Sequence, residues 1–230
     1  MNETARAEAE AEAHATDRVI TFSDAVIAIA ITLLALALPV PGGARGLTNG
    51  QFLVALRGNG LDYLAFLISF VVIGQQWSSH RTVTRYLCRL NDRARKLNMT
   101  WLLMMVATPF AARVLSGPGA SGARFTIYVL IQVIATACLI GMNRAVVRGN
   151  LLRPDAPAAA RDPDNVPFLA MCAMFLLSIP VAFATPWAWA LWAASPLAAR
   201  GLRRVIPRGR HVTGDDHPGS PGVPGPRPAR

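Results

Sequence analysis

Charge is scarce in this 230-residue chain. Only 16% of its residues are Asp, Glu, Lys or Arg, and acid is scarcer than base, with 13 carboxylates against 23 Lys and Arg. A soluble domain carries about a quarter of its residues charged, so a chain that is 53% hydrophobic is not an ordinary soluble domain. Cysteine is sparse too. Cys88, Cys138 and Cys172 are widely separated, with no Cys-x-x-Cys, which excludes a disulfide framework and leaves three unpaired, packed thiols. The chain has no Gly-x-Ser-x-Gly, no His-Glu-x-x-His, no metal-spaced His and Cys set and no phosphate-cradling glycine loop. No enzyme reading therefore stands, and neither a cofactor nor a metal is expected. Ser23, Asp24 and His80 have the residue types of a hydrolytic triad, but neighbours on a helix point ~100° apart. The formal net charge is +10, yet no basic face interleaved with aromatics is present, which excludes nucleic acid as a partner.

What the chain has in abundance is apolar runs, and these read as an all-α polytopic membrane protein. Six helices are predicted, at about 20–38, 61–80, 97–115, 124–143, 166–183 and 187–202, within a membrane domain spanning 18–207. Pro39, Pro41, Gly42 and Gly43 end the first, and the amphipathic piece Gln51 to Arg57 lies at the interface in the loop that follows. Pro109 is expected to kink the third. Trp187, Trp189 and Trp192 read as an interfacial girdle, and the few residues between the fifth and sixth runs force an antiparallel hairpin. Residues 1–17, rich in Ala and Glu without an apolar face, read as a solvated cytoplasmic tail or frayed helix. They lack the basic start and cleavage site of a secretory signal, so the first helix is expected to remain. Residues 208–230, rich in Pro, Gly and Arg, are expected to be disordered.

Charge placement tests this division. With the first residues inside the cell, nineteen of the 23 Lys and Arg fall on cytoplasmic segments, and only Arg45, Arg57, Arg113 and Arg124 fall outside. That asymmetry puts both termini in the cytoplasm. Heavy use of Arg over Lys reads as a high-GC bacterial genome, hence a plasma membrane.

The first long run, Arg18 to Leu38, organises the rest. Its ionisable start must face protein or water rather than lipid. Beyond Asp24 it is apolar apart from Thr32. On a helix Ile29, Leu33 and Leu36 stack as one stripe, facing either lipid or other helices. The Thr32 hydroxyl has two readings: a polar contact beside that stripe, or a hydrogen bond to the carbonyl four residues back. Topology brings Trp77, His80 and Asn98 to the depth of Asp24, where carboxylate, imidazole, indole and amide can form a satisfied network.

The spacing Arg18-x-x-x-Phe22-Ser23-Asp24, followed by an Ile/Ala/Leu helix with an internal Thr, resembles the signature of the transmembrane protein 175 family. Trp77-x-x-His80 closing the second helix and Leu97-Asn98 opening the third accompany that motif. The chain has Arg81 where the family often has a second His. The members are cation channels, mostly potassium-selective, in bacteria and animal lysosomes. The resemblance implies a homotetramer whose partners are its own copies and membrane lipids, with the first helix lining a central pore and potassium as the permeant ion. Ile29, Leu33 and Leu36 match the hydrophobic constriction, with Thr32 beside it. Arg18, Phe22, Ser23, Asp24, Trp77, His80 and Asn98 form the supporting motif, with direct ion coordination by Asp24 as the lesser alternative. The rival function is a secondary transporter of a cation or small solute. Such proteins usually carry repeats and a polar midplane site, whereas here no repeat is apparent and midplane polar groups are few, mainly Thr32, Thr100 and Gln132.

Overall fold

A computed structural model describes residues 3–41, 46–117, 122–161, 165–185, 187–193 and 195–205. These form α1 (Glu3–Leu36), α2 (Asn49–Gly58), α3 (Gly60–Thr84), α4 (Asp92–Ser116), α5 (Gly122–Arg148), α6 (Ala158–Arg161), α7 (Val166–Ala184), α8 (Ala190–Ala193) and α9 (Ser195–Val205). Among the described residues five helices, α1, α3, α4, α5 and α7, are long and apolar enough to cross a membrane, and the protein is an all-helical, multi-pass membrane protein. The expected tail at 208–230 lies outside the described residues.

α5 is the centre of the helical bundle. Its buried residues Tyr128, Gln132, Ala135, Leu139, Met142 and Val146 alternate at spacings of four and three, a stripe that α4 covers. α5 also packs on α3 and α7, α1 packs on α3 and α4, and α9 lies along α7. Among the described residues α1 and α9 are thus the two flanks of the bundle. The C-terminus of α5 turns through Asn150, whose φ of 47° is left-handed. Its amide donates to Val147 O at 3.2 Å and that of Leu151 to Val146 O at 3.1 Å, the paired bonds of a Schellman ending. The chain then pairs Leu152 with Leu87 of the α3–α4 loop in an antiparallel bridge. The ends of α3 and α5 and the start of α4 therefore share one side, where Arg153 meets Asp17 of α1 at 3.9 Å.

At the amino end the structure selects the helical reading of the Ala- and Glu-rich residues, and at Trp192 it departs from the expected girdle. The Ala- and Glu-rich residues before Asp17 are helical and continuous with α1. They have high helix propensity, an Arg6–Glu10 pair at 3.2 Å one turn apart, and an apolar helix already formed behind them, so extension avoids the cost of nucleation. The sixth apolar run carries α8, of four residues, and α9, of eleven. Trp192 is not an exposed belt residue. It is buried, stacked on Tyr128 at 5.3 Å and Phe125 at 5.4 Å with Phe175 edge-on, and its indole N–H donates to Ser178 Oγ at 3.0 Å. A buried indole needs such an acceptor, and Ser178 supplies it, while Trp187 remains exposed.

The loop before α3 contains α2, opened by Thr48 in a capping box. The Gln51 amide donates to Thr48 Oγ1 at 3.3 Å and the Thr48 amide to Gln51 Oε1 at 2.9 Å. Removing the hydroxyl with Thr48→Ala is expected to cost about 1 kcal/mol. Hydrogen exchange should register this as roughly fivefold weaker protection across Asn49–Gly58, with α3 unchanged.

Candidate functional site

α1 has two unlike faces. Ser23, Ile27, Ala30 and Leu34 are buried against α3 and α4, at spacings of four, three and four that keep them in one line. On the other side Ile29, Leu33 and Leu36 are 57%, 47% and 81% exposed. Among the described residues α1 is peripheral, and its apolar outer stripe is uncovered. Thr32 is also exposed, and its hydroxyl donates to Ile29 O at 2.8 Å, so its proton is spent on its own helix while the oxygen stays outward.

The buried face is held at its polar end by a chain of hydrogen bonds whose directions follow from one another. Ser23 Oγ lies 2.8 Å from Val19 O, an acceptor only, so the serine donates there. It then accepts from Asn98 Nδ2 at 3.0 Å, which turns Asn98 Oδ1 toward His80 Nε2 at 2.8 Å. His80 Nε2 therefore carries the proton, and its Nδ1 is buried without a partner. All three side chains are buried, so the bonds form away from water, where losing one is costly.

Asp24 belongs to a second, more open contact. Its Oδ1 accepts from Trp77 Nε1 at 2.9 Å, and Arg81 sits over the Trp77 ring, 5.1 Å from its centroid, close enough for a cation–π attraction. Trp77, which alone reads as a belt residue, anchors the carboxylate. Ser23, Asp24, Trp77, His80 and Asn98 are thus brought together as two neighbouring contacts, separated by the ~100° between adjacent helix positions. Arg18 and Phe22 are exposed, and among the described residues Arg18 forms no ion pair or hydrogen bond.

Behind that network lies a polar layer of which the sequence had singled out Gln132 alone. Trp101, stacked on His80 with ring centroids 4.2 Å apart, donates to Gln76 Oε1 at 3.4 Å. Gln76 Nε2 donates to Thr136 Oγ1 at 3.1 Å and approaches Gln132 Oε1 at 3.5 Å. Gln132 Nε2 donates to Thr108 Oγ1 at 3.0 Å. Thr108 and Thr136 pass their own protons to Met104 O and Gln132 O, both at 2.8 Å. The two Gln and two Thr side chains are wholly buried and paired with one another, which makes the layer a clamp across α3, α4 and α5. One signal was available: Gln76, Gln132 and Thr136 interrupt otherwise apolar helices, and polar groups inside a membrane bundle find each other.

The chain is similar to known proteins in sequence and in fold. Residues 18–109 match the family described as endosomal/lysosomal potassium channel TMEM175. Over 192 residues the chain is 31% identical to a potassium channel of Streptomyces collinus, an alignment covering 80% of this chain and 87% of that one. Its fold is similar to the crystal structure of a lysosomal potassium-selective channel TMEM175 homolog from Chamaesiphon minutus, with a TM-score of 0.64 and 22% identity over 82% of this chain and 98% of the other. A chain whose residues 18–109 match that family's model, and whose alignment with a potassium channel is of that extent, belongs to the TMEM175 family.

Proposed function

We infer that this protein is a potassium channel, conducting passively through a pore lined by the first helices of four copies. The observation that carries the reading is the division of α1: one face is fixed to α3 and α4 by Ser23 and its apolar neighbours, and the opposite face leaves Ile29, Leu33 and Leu36 exposed among the described residues. One such helix cannot enclose a path, whereas several around a symmetry axis can. In that arrangement the apolar side chains form a neck that passes ions only as they shed water. Potassium holds its hydration shell less tightly than sodium and passes more easily. The outward Thr32 oxygen offers a resting contact beside the neck.

The membrane arrangement follows the same reading. α8 and α9 together make the sixth crossing, since Trp192 contacts the middle of α7 and α9 continues along it. The Arg-rich ends of α3 and α5 face the cytoplasm, as do both termini, and the membrane is the bacterial plasma membrane. Ser23, Asn98, His80, Asp24 and Trp77 serve as the fastening of α1, and the protein is not an enzyme.

Recording from purified protein in bilayers tests this. Unitary current steps are expected; strictly coupled, saturable flux without steps would instead make it a transporter. Leu33→Ala, which removes three carbons from each of four facing side chains, is expected to widen the neck and lower the potassium-to-sodium permeability ratio toward one, read from the bi-ionic reversal potential. Unchanged selectivity would remove Leu33 from the pathway.

A further inference from the structure

On the side of the subunit where α3 and α5 end, a cleft of about 740 Å³ opens between the amino-terminal half of α1, the α3–α4 loop and the end of α5. That volume lies within the usual range of small-ligand sites. Its α1 wall carries Glu12, Ala15 and Thr16, and its opposite wall carries Arg89, Asn91 and Arg95. Three sources of positive potential converge there. Arg89 is exposed and, among the described residues, has no ion-pair or hydrogen-bond partner. Among the described residues Arg95 pairs with Asp92 alone, at 3.6 Å and in a solvent-exposed pair, which contributes little and can be displaced. Asn91 is the N-cap of the 25-residue α4, its Oδ1 accepting from the Ala94 amide at 2.8 Å, so the positive end of that helix opens into the cleft. Among the described residues Glu12 is the one acid in the wall; nearby, Asp17 is paired with Arg153 at 3.9 Å, and Asp92, in the first turn of α4, with Arg95.

Arginines on this side are expected from topology alone, and Arg93 and Arg81 are of that kind. Arg89 and Arg95 differ in walling a cavity of ligand size beside a helix amino end. We propose that this cleft binds a phosphate-bearing anion, presented by a lipid headgroup or by a soluble phosphate. The phosphoryl oxygens accept from the two guanidinium groups and the α4 amino end, and Glu12, facing them, accepts from a hydroxyl on the same ligand. Thr16 is seven residues before Ser23, about 10 Å along the helix. An occupant therefore ties the cytoplasmic half of α1 to the α3–α4 loop, and its effect on ion flow rests on the channel reading above.

Thermal unfolding of the purified full chain in detergent tests the site. One arm titrates dioctanoyl phosphatidylglycerol against dioctanoylglycerol, and the other titrates glycerol phosphate and inorganic phosphate against chloride at equal ionic strength. A rise in midpoint with the lipid alone assigns a headgroup, and a rise with the soluble phosphates assigns a metabolite. Arg89→Gln with Arg95→Gln is expected to weaken the response about tenfold or more. Ala15→Trp, which fills the cleft without changing its charge, should abolish it, while Arg93→Gln should respond as the unsubstituted chain does. No rise with any probe, or an equal loss in Arg93→Gln, overturns the proposal, as does an undiminished response in the cleft variants. Because binding is read without flux, protein that binds but does not conduct refutes the channel and keeps the site, and protein that conducts but does not bind does the reverse.

Discussion

Replacing Asn98 with alanine is expected to lower the unfolding free energy by about 2–4 kcal/mol, because it leaves two buried groups, the His80 Nε2–H and the outward lone pair of Ser23, without partners at roughly 1–3 kcal/mol each. Hydrogen bonds between membrane helices are often weaker than this, since the separated helices find other partners within the bilayer. This one lies at the polar end of the helices, where the separated state is hydrated and the full penalty applies. Ser23→Ala removes one acceptor and leaves the His80–Asn98 bond at 2.8 Å, so about 1 kcal/mol is expected. The double variant should cost less than the sum of the singles, because both disrupt the Asn98–Ser23 bond at 3.0 Å. Denaturant unfolding in micelles supplies all three values, and strict additivity would mean that the two residues do not share a network. With α1 released from α4, the exposed stripe loses its orientation, so Asn98→Ala should also reduce current per molecule of assembled protein.

Trp192→Ala is expected to cost about 3–5 kcal/mol, the range for deleting a large buried aromatic. The side chain is 6% exposed and lies among Phe125, Tyr128 and Phe175. Its removal leaves Ser178 Oγ without its indole donor and opens a cavity between α5 and α7. Trp192→Phe keeps much of the packing and loses only the N–H bond, so roughly 1 kcal/mol is expected. The same pair of variants reports on α8 and α9. If Trp192 is what holds that arm against the bundle, hydrogen exchange across 195–202 should rise sharply in Trp192→Ala and little in Trp192→Phe. Uniform exchange in both would assign the anchoring to other contacts.

Membrane residence and the approximate positions of α1, α3, α4, α5 and α7 were legible in the order of residues alone. The cost of moving a residue into lipid is a sum of local contributions: twenty apolar side chains in a row satisfy it whatever surrounds them, and an arginine opposes it wherever it stands. The pairing of Ser23 and Asp24 with Asn98 and Trp77 was within reach for a similar reason, since the alternation of helices across a membrane sets the depth of each polar residue. Only the tertiary arrangement decided which side of α1 is covered, because Ile27 and Ile29 are equally apolar and differ in nothing but the helix that lies against them. Trp192 in the core rather than at the interface, the Gln76, Gln132, Thr108 and Thr136 clamp, and the cleft beside Arg89 depend likewise on three or more elements meeting. No window of sequence contains such a contact, and its energy exists only once the helices are packed.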